Sequence, residues 1–193
     1  MPQSKFLTHG DRMAGSLFRS CPVPTPTTWL PISSAHKVKR YIVSAVEDRL
    51  AELGLSVPEV SAPVAAYVPA VISGQYVYTS GQLPMVSGAL QATGRLGAEI
   101  EVDEGASLAQ ICALNAIAAV KSVIGDLDRV VQVVRVTGFV ASTSNFTSQP
   151  AVINGASNLL GTAFGGAHSR SAVGVAQLPL GAPVEIDMIV EFK

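Results

Sequence analysis

The sequence predicts an α+β domain over residues 39–193, with one sheet backed by helices on a single face. Three observations lead there. Residues 129–140 (RVVQVVRVTGFV) are β-branched and apolar on both faces, as a central strand should be. In residues 183–192, Val184, Ile186, Met188, Val190 and Phe192 alternate with Glu185, Asp187, Ile189 and Glu191, which gives one covered and one more polar face. Around these strands, apolar residues recur at helical spacing in three stretches.

The first helical stretch is 39–53, where Ile42, Val46, Leu50 and Leu53 share a face and Gly54 stops the run; 39–54 is thus a helix at the N-terminal edge of the domain. A connector from Pro58 to Pro63 leads into a β-hairpin, with strands 68–72 and 75–80 flanking a Ser73-Gly74 turn. Residues 81–103 hold four glycines and a proline and read as loop, with room for a short edge strand.

Asp103 opens a helix of about 20 residues that Gly125 ends; Ala109, Ala113, Ala116, Ile117, Val120 and Ile124 line its buried face. A third helix runs from about Ser148 to Phe164, with Pro150 in its first turn and Gly165-Gly166 at its end. Strands 170–176 and 183–192 close the chain.

At 193 residues the chain suits a single domain with an adequate core. Hydrophobic residues make up 48% and charged residues only 14%, which leaves apolar patches for a partner subunit to cover. Residues 1–38 are a loosely attached extension rich in Pro, Ser and Thr. Residues 1–40 carry six basic residues against Asp11 alone, whereas residues 41–193 carry 7 basic and 13 acidic residues, a net charge of −6. An acidic domain is a poor match for a phosphate backbone, so nucleic acid is disfavoured as a partner. The longest uncharged stretch, between Arg135 and Arg170, is too rich in Ser, Thr, Asn, Gln and Gly to span a membrane.

Cys21 and Cys112 offer no disulfide framework, and three scattered histidines without CxxC or HxxxH offer no metal site. A reduced, cytoplasmic setting is expected. A transit peptide in residues 1–36, with a mitochondrial destination, is the alternative. Nucleotide loops, nucleophile elbows and zinc-protease motifs are all missing, so neither cofactor nor metal is expected.

Arg170 stands out by position. It follows 34 residues without a formal charge and begins a strand directly after the turn Gly165-Gly166-Ala167-His168-Ser169. A guanidinium held there can grip a carboxylate through two parallel hydrogen bonds. The alternative is a strand-end arginine paired with Glu185 or Asp187 across a terminal hairpin. Glu185 either orients a water or is simply solvated, and the Tyr67 phenol either meets a ligand or packs. Thr79-Ser80-Gly81-Gln82 ends the hairpin with a hydroxyl and bare backbone, suited to ligand contact or to a plain turn. His168 reads as a surface loop residue.

Three segments together carry a specific likeness: Ala66-Tyr67-Val68-Pro69-Ala70-Val71, then Tyr78-Thr79-Ser80-Gly81-Gln82-Leu83-Pro84, then Ser169-Arg170-Ser171-Ala172-Val173-Gly174-Val175-Ala176-Gln177-Leu178-Pro179 with Val184-Glu185-Ile186-Asp187. Over residues 62–193 the chain resembles the RidA/YjgF family of reactive-intermediate deaminases, also labelled endoribonuclease L-PSP. The resemblance implies a chorismate-mutase-like α+β fold and a homotrimer with three pockets at subunit interfaces. It also implies metal-free hydrolysis of 2-imino acids, or their enamine tautomers, to 2-keto acids and ammonia. The substrate-gripping arginine then falls on Arg170, the water-orienting glutamate on Glu185 and the pocket tyrosine on Tyr67. Ser80 and Gly81 match the family's pocket segment at the hairpin end, and Ala172 takes a pocket position where many members carry cysteine.

Two further features depart from the short members of that family. Val68 stands where a polar residue is common, and the helix at 39–53 and the segment before it are additions. They suggest a divergent branch whose substrate need not be the usual one. The alternatives to the deaminase are a module of the same fold that binds a small carboxylate or a protein partner without catalysis, and the family's older label, a ribonuclease acting on mRNA.

Overall fold

The computed structural model of the protein describes residues 44–60 and 66–193. The extension 1–38 and the start of the predicted first helix, 39–43, lie outside the described residues.

Helix α1 spans Ala45–Glu52, and its start is fixed by a capping box. Ser44 Oγ accepts from the Glu47 N–H at 3.1 Å, while the Glu47 carboxylate accepts from the Ser44 N–H at 3.4 Å. Asp128 adds a second cap from afar, accepting from the N–H groups of Ala45 and Val46 at 3.0 and 3.3 Å. Val46 and Leu50 are buried, but Leu53 lies past the helix end and is half exposed.

Strands β1 (Ala70–Ser73) and β2 (Tyr76–Thr79) form the expected hairpin with its turn one residue later, at Gly74-Gln75. Gly74 has φ +60° and Gln75 does not turn positive. That is the type II′ arrangement, which wants glycine first, so the glycine and not the serine sets the register. Residues 81–103 contain a separate small hairpin, β3 (Met85–Val86) with β4 (Ala89–Leu90), rather than an edge strand of the main sheet. Its turn residues Ser87 and Gly88 both have positive φ, as a type I′ turn requires.

Helix α2 (Val102–Ile124) and helix α3 (Gln149–Phe164) cover one face of the sheet. The predicted stripe of α2 is buried throughout. Its length and mean hydropathy of 1.6 would suit a bilayer, yet 56% of its most apolar stretch is buried inside the protein. The two helices meet through glycine: a Cβ on Gly155 would overlap the Ala106 carbonyl, so the backbones approach closely only without one.

Strands β5 (Val130–Ala141), β6 (Ser169–Val175) and β7 (Val184–Phe192) complete a five-stranded sheet in the order β1-β2-β7-β5-β6. Strand β6 runs parallel to β5, and the other neighbours are antiparallel. The terminal hairpin therefore does not form. The β5-α3-β6 crossover places β6 outside β5, while β7 enters on the other side of β5, next to β2. An Arg170 paired across a hairpin with Glu185 or Asp187 is ruled out by this order.

Val136, Gly138 and Val140 face the helices with Val184, Ile186, Met188 and Val190. The opposite face carries Val71, Tyr78, Ile189, Phe139 and Val173 among the polar Thr137, Ser171, Glu185 and Asp187. Leu83, Leu90 and Leu178 pack with Phe139 at one end of this face, but Val71, Tyr78 and Val173 remain 51%, 41% and 42% exposed. The apolar character of β5 on both faces is therefore used by the helices on one side only.

Candidate functional site

The predicted residues gather at two places. The first is the start of β6. Val136 is the register partner of both Arg170 and Met188, so Arg170 lies on the helix-covered face of the sheet, at its edge. Helix α3 crosses that edge, and its Ile153 packs where a side chain on Gly138 would be. One helical turn of α3 then offers Asn154 and Ser157 to the arginine. Arg170 Nη1 donates to Asn154 Oδ1 at 2.8 Å and to Ser157 Oγ at 3.1 Å. Among the described residues no carboxylate pairs with it. Ala172 follows on the same face, half-buried against the core.

His168 belongs to this group as well. Its Nε2 lies 3.0 Å from Ser157 Oγ, and partial burial, then the Arg170 charge, lower its pKa. The sequence does not mark out Asn154 or Ser157, and His168, which reads there as a surface loop residue, is in fact part-buried against Ser157. The i, i+3 spacing of Asn154 and Ser157 on the polar side of α3 was the available signal, but it had no meaning until β6 was known to lie beside that helix.

The second place is the end of the β1–β2 hairpin. Tyr67 and Gly81 line a cavity of about 850 Å³ together with Gln82, Met85, Asn115 and Leu180. Asn115 shapes its wall by donating to the carbonyls of Leu83 and Met85 at 2.9 and 3.0 Å. The Ser80 hydroxyl donates to the Val68 carbonyl at 2.7 Å, which ties the Tyr67 segment to the hairpin and leaves the oxygen lone pairs as the free part of the group. Glu185 stands behind Gly81, and a Cβ on that glycine would overlap its carboxylate. Burial first, and the Asp187 charge second, raise the Glu185 pKa above the usual carboxylate value.

These two groups do not meet within one chain. Glu185 pairs through Phe139 with Val173, on the face opposite to Arg170. Two strand spacings across and three residues along separate their backbones by about 14 Å, with the sheet between the side chains. A second, more polar cavity of about 530 Å³, lined by Arg95, Ser142, Thr143, Ser144 and Gln149, holds none of the predicted residues. Among the described residues no cluster of three or more His, Cys, Asp or Glu side chains is placed to share a metal ion.

Comparison with known proteins accounts for this fold. The model of the YjgF/chorismate mutase-like family, whose description suggests an endoribonuclease, matches residues 47–191. Protein TCP17 of Trypanosoma cruzi is 47% identical over 153 residues, which cover 77% of this chain and 94% of that protein. The crystal structure of Atu1372 from Agrobacterium tumefaciens, a protein of unknown function, is 48% identical with a TM-score of 0.72, covering 77% of this chain and 92% of that one. A Shewanella oneidensis protein named provisionally as an endoribonuclease is 36% identical with a TM-score of 0.74, covering 76% and 99%.

Proposed function

The chain belongs to the YjgF/chorismate mutase-like family, and from that premise we propose that it is a hydrolytic deaminase converting 2-imino acids, or their enamine tautomers, to 2-keto acids and ammonia. The observation that carries this reading is the state of Arg170: a guanidinium held at Nη1 by two neutral groups, with no carboxylate partner among the described residues, at an accessible sheet edge. Such a group is prepared for an external carboxylate.

In this reading Arg170 holds the substrate carboxylate while Glu185 and Tyr67 orient a water toward C2. A protonated imine is already electrophilic, so placing the water correctly is most of the task. The water oxygen bonds to C2 and gives a proton to Glu185. Glu185 returns that proton to the nitrogen of the resulting carbinolamine, and ammonia leaves as the C–N bond breaks and C2=O forms, the hydroxyl proton passing to the Glu185 carboxylate. A carboxylate with a raised pKa is a better base for this step than an ordinary one.

Because Arg170 and Glu185 lie on opposite faces, the reading needs the second group of residues from another copy of the chain. The homotrimer that the RidA/YjgF resemblance implies supplies it, and the uncovered apolar residues of the sheet give a surface for that association. The ribonuclease suggested in the family's description is disfavoured by the net charge of −6 over residues 41–193.

The test is to add purified protein to an amino-acid oxidase or PLP-dependent dehydratase reaction that releases 2-imino acids, and to follow keto-acid formation. Acceleration that is lost with Arg170→Ala supports the proposal. No acceleration, with pyruvate still bound at Arg170, would instead make the domain a carboxylate-binding module.

A further inference from the structure

We infer that Ser157 and His168 are positioning residues that hold Arg170 with its Nε and Nη2 donors turned toward a ligand carboxylate. The inference rests on the carboxylate grip proposed above and adds the side chains that aim it.

A guanidinium has five N–H donors and no acceptor. Nη1 carries two of these hydrogens, and Asn154 Oδ1 and Ser157 Oγ take one each. The Nε–H and the Nη2 hydrogens have no acceptor among the described residues. Nε–H and one Nη2–H are parallel and spaced to match the two oxygens of a carboxylate. The α3 contacts thus choose which edge of the guanidinium is left for a ligand.

Ser157 is itself constrained. Arg170 only donates, so Ser157 Oγ accepts from it and must send its own proton elsewhere. His168 Nε2, at 3.0 Å, is the one acceptor for that proton among the described residues. The imidazole is then neutral and carries its hydrogen on Nδ1. The lowered pKa of His168 agrees with this state. Protonation would turn Nε2 into a donor, strip Ser157 of its acceptor and set a second cation beside Arg170.

The surroundings leave this chain of bonds in control. From β6 the charged group facing the imidazole is Arg170, and α3 presents the neutral Ser157 and Asn154. Arg49 of α1 is bound to the Ala163 carbonyl at 2.8 Å. Arg135 of β5 pairs with Ser169 on the other face of the sheet and donates to Ser171 there.

The experiment uses the full chain and pyruvate as the carboxylate probe. Calorimetric titrations between pH 5 and 8 compare wild type with Ser157→Ala, His168→Ala and His168→Gln, and ¹⁵N NMR reports the His168 tautomer in ligand-free protein. The expected tautomer is Nδ1-protonated, with a pKa below 6.5. Each alanine variant should bind pyruvate about tenfold more weakly at an unchanged melting temperature, the cost of about one hydrogen bond. Wild-type affinity should fall as pH drops through the His168 pKa. His168→Gln, whose amide oxygen reaches the Nε2 position, should restore binding and remove that pH dependence. An Nε2-protonated imidazole overturns the inference, as does wild-type affinity in both alanine variants. A wild type that binds no pyruvate overturns the carboxylate grip itself, and this inference with it.

Discussion

The Glu185 carboxylate lies against the bare backbone of Gly81, in the space a Cβ on that glycine would take. Gly81 does not need a positive φ, so alanine is conformationally allowed there. What alanine displaces is the flexible end of Glu185. Gly81→Ala is therefore expected to fold with little change in melting temperature while kcat for imine hydrolysis falls by at least about tenfold, since small misplacements of a reacting group are costly. Steady-state kinetics and a thermal melt on the same sample check both halves.

Replacing Glu185 itself separates stability from activity. Its pKa is raised in the folded protein, so the fold binds that proton more tightly than the unfolded chain does. Stability is then complete below the unfolded-state value and is lost as pH rises through the folded value. Glu185→Gln, which cannot ionise, should melt higher than wild type at pH 7 and equal to it near pH 4, while its kcat drops sharply. A variant that melts lower at pH 7 would mean that the ionised carboxylate stabilises the fold.

Arg170 should tolerate no substitution in function and most substitutions in folding. Its partners Asn154 and Ser157 are neutral and its side chain is exposed, so the core does not depend on it. Charge-assisted hydrogen bonds contribute about 1.5–3 kcal/mol, which predicts a fall in kcat/KM of roughly 100-fold for Arg170→Ala. Arg170→Lys should be similarly impaired, because one ammonium cannot reproduce two parallel donors. A lysine variant with near-normal kcat/KM would remove the bidentate grip.

Assembly is tested by mass. Light scattering should report about three times the 20.0 kDa of one chain. Val173→Asp adds a charge to the uncovered sheet face, on the row shared by Phe139 and Glu185, and should shift the protein toward single chains. A monomeric wild type that still hydrolyses imines would refute a site completed by a second copy.

Gly155→Ala tests the helix layer. Its Cβ would overlap the Ala106 carbonyl, a backbone atom that cannot swing aside, so α2 and α3 would have to separate. Overpacking of this kind costs about 1–3 kcal/mol, seen as a melting temperature lowered by several degrees. Gly161 has open space around its Cβ position and provides the control, with Gly161→Ala close to neutral or stabilising.

Local spacing along the chain was enough to give the helices and the main-sheet strands, though not the small β3–β4 hairpin. Alternation in 183–192 and the helical stripes of 103–124 and 148–164 arise from spacings of two to four residues, and such local periods survive whatever lies next to them. The sequence also singled out Arg170, because one charge after 34 uncharged residues is visible without any coordinates. The turn at Gly74-Gln75 was nearly legible, and failed by one residue because the dihedral preference of glycine within the turn, not its position between strands, fixes the register. Which strands become neighbours was settled by long-range packing. Placing β6 outside β5 and β7 inside it depends on pairings between segments tens of residues apart, and no local pattern encodes these. That order and its register put Arg170 and Glu185 on opposite faces and brought Asn154 and Ser157 of α3 to Arg170 and its near neighbour His168. Their hydrogen bonds depend on two elements packing together, so they are a property of the fold and not of any stretch of sequence.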